Sequence, residues 1–369
     1  MQPQRIVIKL GTSTLTQGNL DLSNEHMIEL IRVFARLQQA GHQVVIVSSG
    51  AIAIGRSIMG QPQLSRHIPA KQMLAAVGQT RLMQIYSQLF GYYHLTVGQV
   101  LLTRDDLGNR RRYLNARNTL EAMIQFGVIP IINENDTIST EEIRLGDNDN
   151  LSALVANLTE ADLLVLFTDQ DGLYNANPNT NPDAEILHLI DSYDIPDEVW
   201  QAAGGSTSGL GVGGMVTKLQ AADLARRSGC SVVITNGKYP ERIWDILEGK
   251  PVGTVFKALI TKLESRKRYM LAEAHQNDGW IRMDAGAETA LRDGGSLLAV
   301  GIRHAGGSFA RGDIVRLKDE KRKDIALGVS NYSIEDLNRI MGVKSQEIES
   351  VLGYNYGNEV VHHKNIMFL

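Results

Sequence analysis

Two lysines and a glycine-rich segment carry the strongest chemical signal in the chain. Lys9 lies at the end of an apolar run, Arg5–Leu10, and Gly11 follows almost at once, so its ammonium can project beyond a strand end. Lys218 closes the densest glycine segment, Gly204–Lys218 (GGSTSGLGVGGMVTK). Glycines let backbone amides close on phosphate oxygens. A helix starting near Val216 would add the positive end of its dipole. Two cations flanking a phosphoryl group would spread the negative charge of its transfer. Two familiar nucleotide fingerprints fail on these residues. Gly209-x-Gly211-x-x-Gly214 has no strand before it and no acidic residue ending the next strand near Asn236. Gly214-Met-Val-Thr-Lys218 lacks the adjacent Gly-Lys-Ser/Thr of a P-loop.

Two polar clusters stand close together, Asn133-Glu-Asn-Asp136 and Gly146-Asp-Asn-Asp-Asn150. They can frame a zwitterion, with a carboxylate pairing an ammonium and amides holding carboxylate oxygens. They can equally be helix caps, and Asp147 or Asp149 suits that role for a helix entering Leu151. Ser48-Ser49-Gly50-Ala51 follows a strand and offers exposed amides to an anion. Thr168-Asp169-Gln-Asp171-Gly172 follows the most apolar strand and reads either as an Asp-Gly turn or as a nucleotide contact. His362-His363 and the other histidines lack ligand spacing, so no protein metal site is expected. The single cysteine, Cys230, opens an apolar run, reads as a core thiol and excludes an internal disulfide.

The elements that must position these residues alternate strand and helix. Strands are expected at Arg5–Leu10, Gln43–Val47, Val97–Leu102, Val128–Asn133, Leu163–Thr168 and Val232–Thr235. A helix capped by Ser23 carries Met27, Ile28, Ile31, Phe34 and Leu37 on one face and stops at Gly41. Further helical patterns cover Ala70–Phe90, Arg112–Phe126, Asp149–Leu158 and Val216–Arg227. Wholly apolar strands between helices predict a mostly parallel sheet covered on both faces. Ligands of such sheets bind beyond the carboxyl ends of the strands. That rule gathers Lys9, Ser48–Gly50, Asn133–Asp136 and Thr168–Asp171 along one edge. Gln17–Leu20 and Ile58–His67 are polar or irregular connections.

The pattern changes near residue 260. Lys262–Arg268 is charged and reads as a linker or a solvated helix. Beyond it, Trp280–Asp284, Ser296–Val300, Asp313–Lys318 and Asp324–Val329 are short strand-like runs with glycine turns. The expected limits are 1–257, a connecting 258–276, and a β-rich 277–369. The chain has 369 residues, 43% hydrophobic and 21% charged, with 37 Lys+Arg against 41 Asp+Glu. This balance suits globular domains and argues against a protein dominated by nucleic-acid phosphate contacts. Residues 277–369 alone hold 12 Lys/Arg and 13 Asp/Glu, a balance of 12 − 13 = −1. RNA binding as the main function is therefore disfavoured. No long apolar run is seen at the start or elsewhere, so a cytoplasmic protein without a membrane segment is expected.

The set VIKLGTS, VSSGAIAIG, INENDTI, GDNDNLSALVA, FTDQDGLY and GGMVTKLQAA, in this order, resembles the amino acid kinase family over residues 5–257. WIRMDAGAETAL, GGSLLAVGI, FARGDIV and IALGVSNYS resemble a PUA domain. The resemblance implies an αβα sandwich with a mostly parallel sheet, plus a small β-rich PUA-like domain. It implies transfer of a phosphoryl group from ATP, carried with Mg²⁺, to the side-chain carboxylate of L-glutamate, as the first step of proline biosynthesis. By motif, Lys9 and Lys218 would contact phosphates and stabilise the transferring group, and Asp149 would orient them. Ser49, Asp136 and Asn148 would bind glutamate. Thr168, Asp169, Val212, Gly213, Gly214, Met215, Val216, Thr217 and Lys218, with Lys9, would bind the nucleotide. Members commonly carry threonine where this chain has Val212, which leaves backbone amides there instead of a hydroxyl. Feedback inhibition by proline and a dimer or tetramer are also implied; because an acyl phosphate hydrolyses readily, handover to a glutamyl phosphate reductase or protection by closure is expected. Other substrates within the family, N-acetylglutamate, aspartate, carbamate or a nucleoside monophosphate, and an RNA-binding role of the tail are the competing readings.

Overall fold

The computed structural model describes all residues except 1, 63–66, 140–147, 177, 179–180, 205–213 and 275–277. It divides into two units, residues 1–109 with 115–262, and residues 110–114 with 263–369. Among the described residues, the strands of the first unit are β1 (Arg5–Leu10), β2 (Gln43–Val47), β3 (Val97–Leu102), β4 (Ile129–Glu134), β5 (Leu163–Thr168), β6 (Leu189–Ile190), β7 (Ser231–Asn236) and β8 (Thr254–Phe256). They form one sheet in the order β3-β4-β2-β1-β5-β7-β8-β6. Pairing is parallel from β3 across to β7, and β8 turns antiparallel to β7.

The apolar strand sequences explain why both faces of the sheet are buried. Ile6, Ile8 and Leu10 share a core with Met27, Leu30, Ile31 and Phe34 of the helix Asn24–Gln39. Val7, Val45, Leu164 and Leu166, of the opposite parity, are also fully buried. The helices Asp149–Leu158 and Met215–Arg227 pack on the sheet against β1, β5 and β7 but contribute nothing to the first core, so they cover this second face. Alternation along a strand then decides where Lys9 goes. It has the parity of Val7 and points to the side of the Asp149 helix.

Ser23 caps the helix Asn24–Gln39 as expected, its hydroxyl accepting from the His26 amide. Gly41 follows the helix end with φ of +93°, the left-handed conformation that glycine adopts without penalty. The helices Ala51–Ile58 and Ile68–Gly91 cross with almost no room between their backbones. A Cβ on Gly78 would lie 1.8 Å from the Ala51 carbonyl oxygen, and one on Gly55 would lie 1.9 Å from that of Leu74. The two glycines set how closely the long helix approaches the Ser48–Gly50 loop.

In the second unit, β9 (Trp280–Met283), β11 (Ile302–Gly306), β12 (Ile314–Lys318), β13 (Asp324–Val329) and β15 (Ile366–Phe368) form a sheet in the order β11-β9-β12-β13-β15. The strands β10 (Leu297–Leu298) and β14 (Glu359–Val361) pair separately. Leu317, Tyr332, Leu337 and Val360 sit in its core. The expected strand Ser296–Val300 is corrected: only Leu297–Leu298 is extended, and Ala299–Gly301 is a 3₁₀ turn. The reason is steric, since a Cβ on Gly301 would come within 2.5 Å of the Ala287 methyl, so the chain bends tightly past the helix Ala285–Arg292. Asp284, expected to end β9, instead caps that helix through the Ala287 amide. The charged stretch at 262 is helical, Lys262–Ala274. Among the described residues, no helix is long and apolar enough to cross a membrane.

Candidate active site

Asp149 is the centre of a buried charge cluster. Its Oδ1 lies 2.6 Å from Lys9 Nζ and its Oδ2 lies 3.1 Å from Lys218 Nζ. All three residues are buried. Two ammonium groups and one carboxylate leave the cluster a net formal charge of +1, held in a medium where charges act strongly. The capping alternative for Asp149 is not what the geometry uses. Asn148 occupies the cap position without a side-chain cap bond, and Asp149 is the first helical residue with its carboxylate on the lysines. Thr217 Oγ1 lies 2.9 Å from both Asp149 Oδ2 and the Gly214 carbonyl oxygen. The Thr217 hydroxyl therefore helps to fix the carboxylate, and the Val216 side chain is buried. What Gly214, Met215 and Val216 offer a nucleotide is the backbone start of a 13-residue helix. Val212 and Gly213 lie outside the described residues, as does Asp147.

A second group of polar side chains converges beside the first. Asn148 Nδ2 lies 2.6 Å from the Ser48 carbonyl oxygen, 3.2 Å from Ser49 Oγ and 2.8 Å from Asn133 Oδ1. Gly50, with φ of +89°, turns the chain from β2 into the helix Ala51–Ile58, so the Ser49–Ala51 amides begin that helix. Ser49, Asp136 and Asn148 all line one cavity of about 430 Å³. Its walls include Asn133 and, at the two irregular connections, Leu20 and Gln61. Thus the three residues assigned to the acceptor share one cavity, and the Asn148–Asp149 peptide joins it to the lysine cluster.

Thr168 and Asp169 lie at the end of β5, where Thr168 Oγ1 donates to Asp169 Oδ1 at 3.0 Å. The turn after them is tied to β7: Asn236 Nδ2 reaches Asp171 Oδ1 at 3.2 Å, and Arg242 Nη1 reaches the same oxygen at 2.9 Å. Asp171 therefore orders the turn. Cys230 is buried, and desolvation pushes its thiol up to about 12, consistent with a core role.

The model of the amino acid kinase family matches residues 4–236, and that of the PUA domain matches residues 279–352. The chain belongs to the amino acid kinase family. This amino acid kinase is 50% identical over 365 residues to the glutamate 5-kinase of Escherichia fergusonii, spanning 99% of this chain and 98% of that one. It is 51% identical over 367 residues to the glutamate 5-kinase of Shewanella halifaxensis, with the same coverage. Among solved structures, the carbamate kinase of Giardia lamblia bound to AMP-PNP aligns with a TM-score of 0.50 at 19% identity, over 69% of this chain and 98% of that one. That likeness speaks for the fold of the kinase unit alone.

Several functional neighbours in this amino acid kinase escape a sequence reading. Arg56 and Lys71 add two cations to the cavity wall. Arg56 lies one helical turn after Ile52, another lining residue near the start of the helix that follows the Ser48–Gly50 loop, and that i,i+4 spacing was the available signal. Gln79 accepts from Asn133 Nδ2 at 2.8 Å, and the Tyr86 hydroxyl lies 2.9 Å from Ser48 Oγ. Burial pushes the Tyr86 phenol up, outweighing the lowering effect of Ser48. Both residues sit in an apolar helical pattern and look like packing until the helix is docked.

Proposed function

We propose that this amino acid kinase transfers the γ-phosphoryl group of ATP to the side-chain carboxylate of L-glutamate, giving ADP and L-glutamyl 5-phosphate, the first step of proline biosynthesis. One observation carries the reading. Asn148 lines the acceptor cavity, and the next residue, Asp149, holds Lys9 and Lys218. The full-length identity to proteins named glutamate 5-kinase supports the choice of acceptor.

The nucleophile is a carboxylate with an ordinary pKa of about 4.3, already ionised at neutral pH. No general base is needed. One carboxylate oxygen attacks the γ-phosphorus as the bond to the β–γ bridging oxygen breaks and that oxygen leaves with ADP. The difficulty is bringing an anion onto an anion. Lys9 and Lys218 offset it by placing positive charge where the equatorial oxygens gather negative charge. Asp149 holds both ammonium groups in place before substrate arrives. A Mg²⁺ ion carried by the nucleotide would supply further neutralisation of the phosphate charge. The residues fit such a phosphate-held ion, because the Asp149 carboxylate is engaged by both lysines. Among the described residues, no three His, Cys, Asp or Glu side chains group as a metal site.

In the cavity, Asp136 takes the α-ammonium of glutamate, and Ser49 and Asn148 hold the chain. An acetylated substrate has no ammonium for Asp136, which favours glutamate over N-acetylglutamate. Thr168, Asp169 and the amides of Gly214–Val216 take the nucleotide. Domain limits at 1–257 and 277–369, with 258–276 between, follow the same reading. Proline inhibition and a homo-oligomer belong to it too on the motif resemblance, handover to a glutamyl phosphate reductase on the lability of an acyl phosphate, and a cytoplasmic location on the role in amino-acid synthesis. Incubation with ATP, Mg²⁺ and L-glutamate in hydroxylamine tests it: γ-glutamyl hydroxamate is expected with glutamate and absent with N-acetylglutamate or aspartate. Product from either of those acceptors alone would overturn the substrate assignment.

A further inference from the structure

The helix Ile68–Gly91 carries three polar side chains at intervals of seven residues, Gln72, Gln79 and Tyr86. Seven residues are close to two turns, so the three lie along one face. Each meets a different piece of the acceptor site. Gln72 Nε2 reaches the Ser139 carbonyl oxygen at 3.4 Å, Gln79 Oε1 accepts from Asn133 Nδ2 at 2.8 Å, and the Tyr86 hydroxyl meets Ser48 Oγ at 2.9 Å.

The middle contact decides an orientation. We propose that Gln79 is a positioning residue that sets the affinity for the amino-acid substrate by fixing two amides, those of Asn133 and Asn148. The inference rests on the assignment of Asn148 and Ser49 to the substrate. Asn133 Oδ1 accepts from the Glu134 amide at 2.9 Å and from Asn148 Nδ2 at 2.8 Å, while its Nδ2 donates to Gln79. Turned over, Asn133 would aim its NH₂ at two donors, so only one orientation satisfies the set. That orientation draws Asn148 Nδ2 inward to Asn133, Ser48 and Ser49. Asn148 Oδ1 is then the acceptor left for an ammonium beside Asp136. Ser49 Oγ accepts from Asn148 and so turns its own proton to a substrate oxygen.

Gln79 acts as an acceptor only, because its Nε2 is buried with no hydrogen-bond partner. Removing the acceptor leaves a donor of buried Asn133 without a partner and loosens the hold on both amides, which then rests on the Glu134 amide and the Ser48 carbonyl. The relay runs through Asn133 to Asn148 and Ser49, on the substrate side of the Asn148–Asp149 peptide, so its loss falls on substrate affinity more than on phosphoryl transfer.

The test is steady-state hydroxamate kinetics of the full chain with varied L-glutamate, then varied ATP. Gln79→Met should raise KM for glutamate about tenfold, with kcat and KM for ATP within about twofold. Gln79→Glu keeps the acceptor and drops the unpartnered donor, and should stay within about threefold of the parent KM. If Gln79→Met does not fold, the contrast is read between Gln79→Glu and Gln79→Lys, which puts a donor where an acceptor is needed. An unchanged KM in Gln79→Met, or equal losses in kcat and both KM values, would overturn the inference. So would a Gln79→Glu variant as weak for glutamate as Gln79→Met. Asn148→Ala separates the two levels: if it leaves KM for glutamate unchanged, the reading of the cavity itself falls. If it raises KM and Gln79→Met does not, only the role of Gln79 falls.

Discussion

Lys9 Nζ lies 2.6 Å from Asp149 Oδ1, and neither side chain is more than 4% exposed. A strand end and a helix start, far apart in the chain, thus share a charge pair that water barely reaches. Such pairs are expensive to break from one side, because the remaining charge stays buried without its partner.

Asp149→Asn should therefore lower stability by roughly 3–5 kcal/mol, read as a fall in the urea midpoint at unchanged slope. Adding Lys9→Met to it should recover part of the loss, since one of the stranded ammonium groups is gone. A double variant whose loss equals the sum of the single losses would show that the two residues are not coupled.

Lys9→Ala and Lys218→Ala should each lower kcat by about 10²–10³-fold, with a much smaller change in KM for ATP. The charge they supply matters most when the phosphoryl oxygens carry most negative charge. Arginine should restore little at either position, because its planar fork does not reproduce a compact ammonium. Equal kcat in variant and parent would remove the lysine concerned from the mechanism.

Asp136→Asn should raise KM for glutamate by about 10–100-fold, the loss of a charge-assisted hydrogen bond to an ammonium. The KM for ATP should not move with it. The discriminating measurement is the ratio of the two changes, and parallel increases would point to general damage.

Gly78→Ala places a Cβ within 1.8 Å of the Ala51 carbonyl oxygen, which is backbone and cannot swing away. The two helices must separate, at a cost of at least about 1–3 kcal/mol. Thermal unfolding checks this, and an unchanged midpoint would contradict the close crossing.

Burial lowers the His26 pKa, against weaker raising effects of the Gly237 backbone, Glu29 and Glu241. Below the ordinary imidazole value of 6.5 the unfolded chain binds a proton that the native chain resists. The stability that neutral His26 permits is thus complete above that value and is lost as pH falls from it through the lowered native value. Replacing His26 with Gln should flatten the decline in unfolding free energy as pH falls below about 6.5. An identical slope in both proteins would show that His26 does not contribute.

The strands and the chemistry-bearing residue types were legible in the sequence for a simple reason. β1, β2, β4 and β5 are short, apolar and bounded by turn residues, and a parallel sheet buried on both faces demands such runs. The ends of those strands then had to hold Lys9, Ser49, Asp136 and Thr168. Boundaries failed where contacts outside the segment decide, as at Ala299–Gly301, which bends because Ala287 stands in its way.

What local sequence could not decide was partnership. Asp149 reads equally as a helix cap or as the anchor of two lysines, and only the packing of its helix over β1 makes it the second. Gln79 and Tyr86 read as part of a buried helical face until the Gly55–Gly78 crossing brings that face to Asn133 and Ser48. Element type follows from short-range periodicity and residue preference, which the sequence determines by itself. The direction of an amide, or the counter-charge of a lysine, depends on groups tens of residues away, and only the tertiary structure places them within hydrogen-bond range.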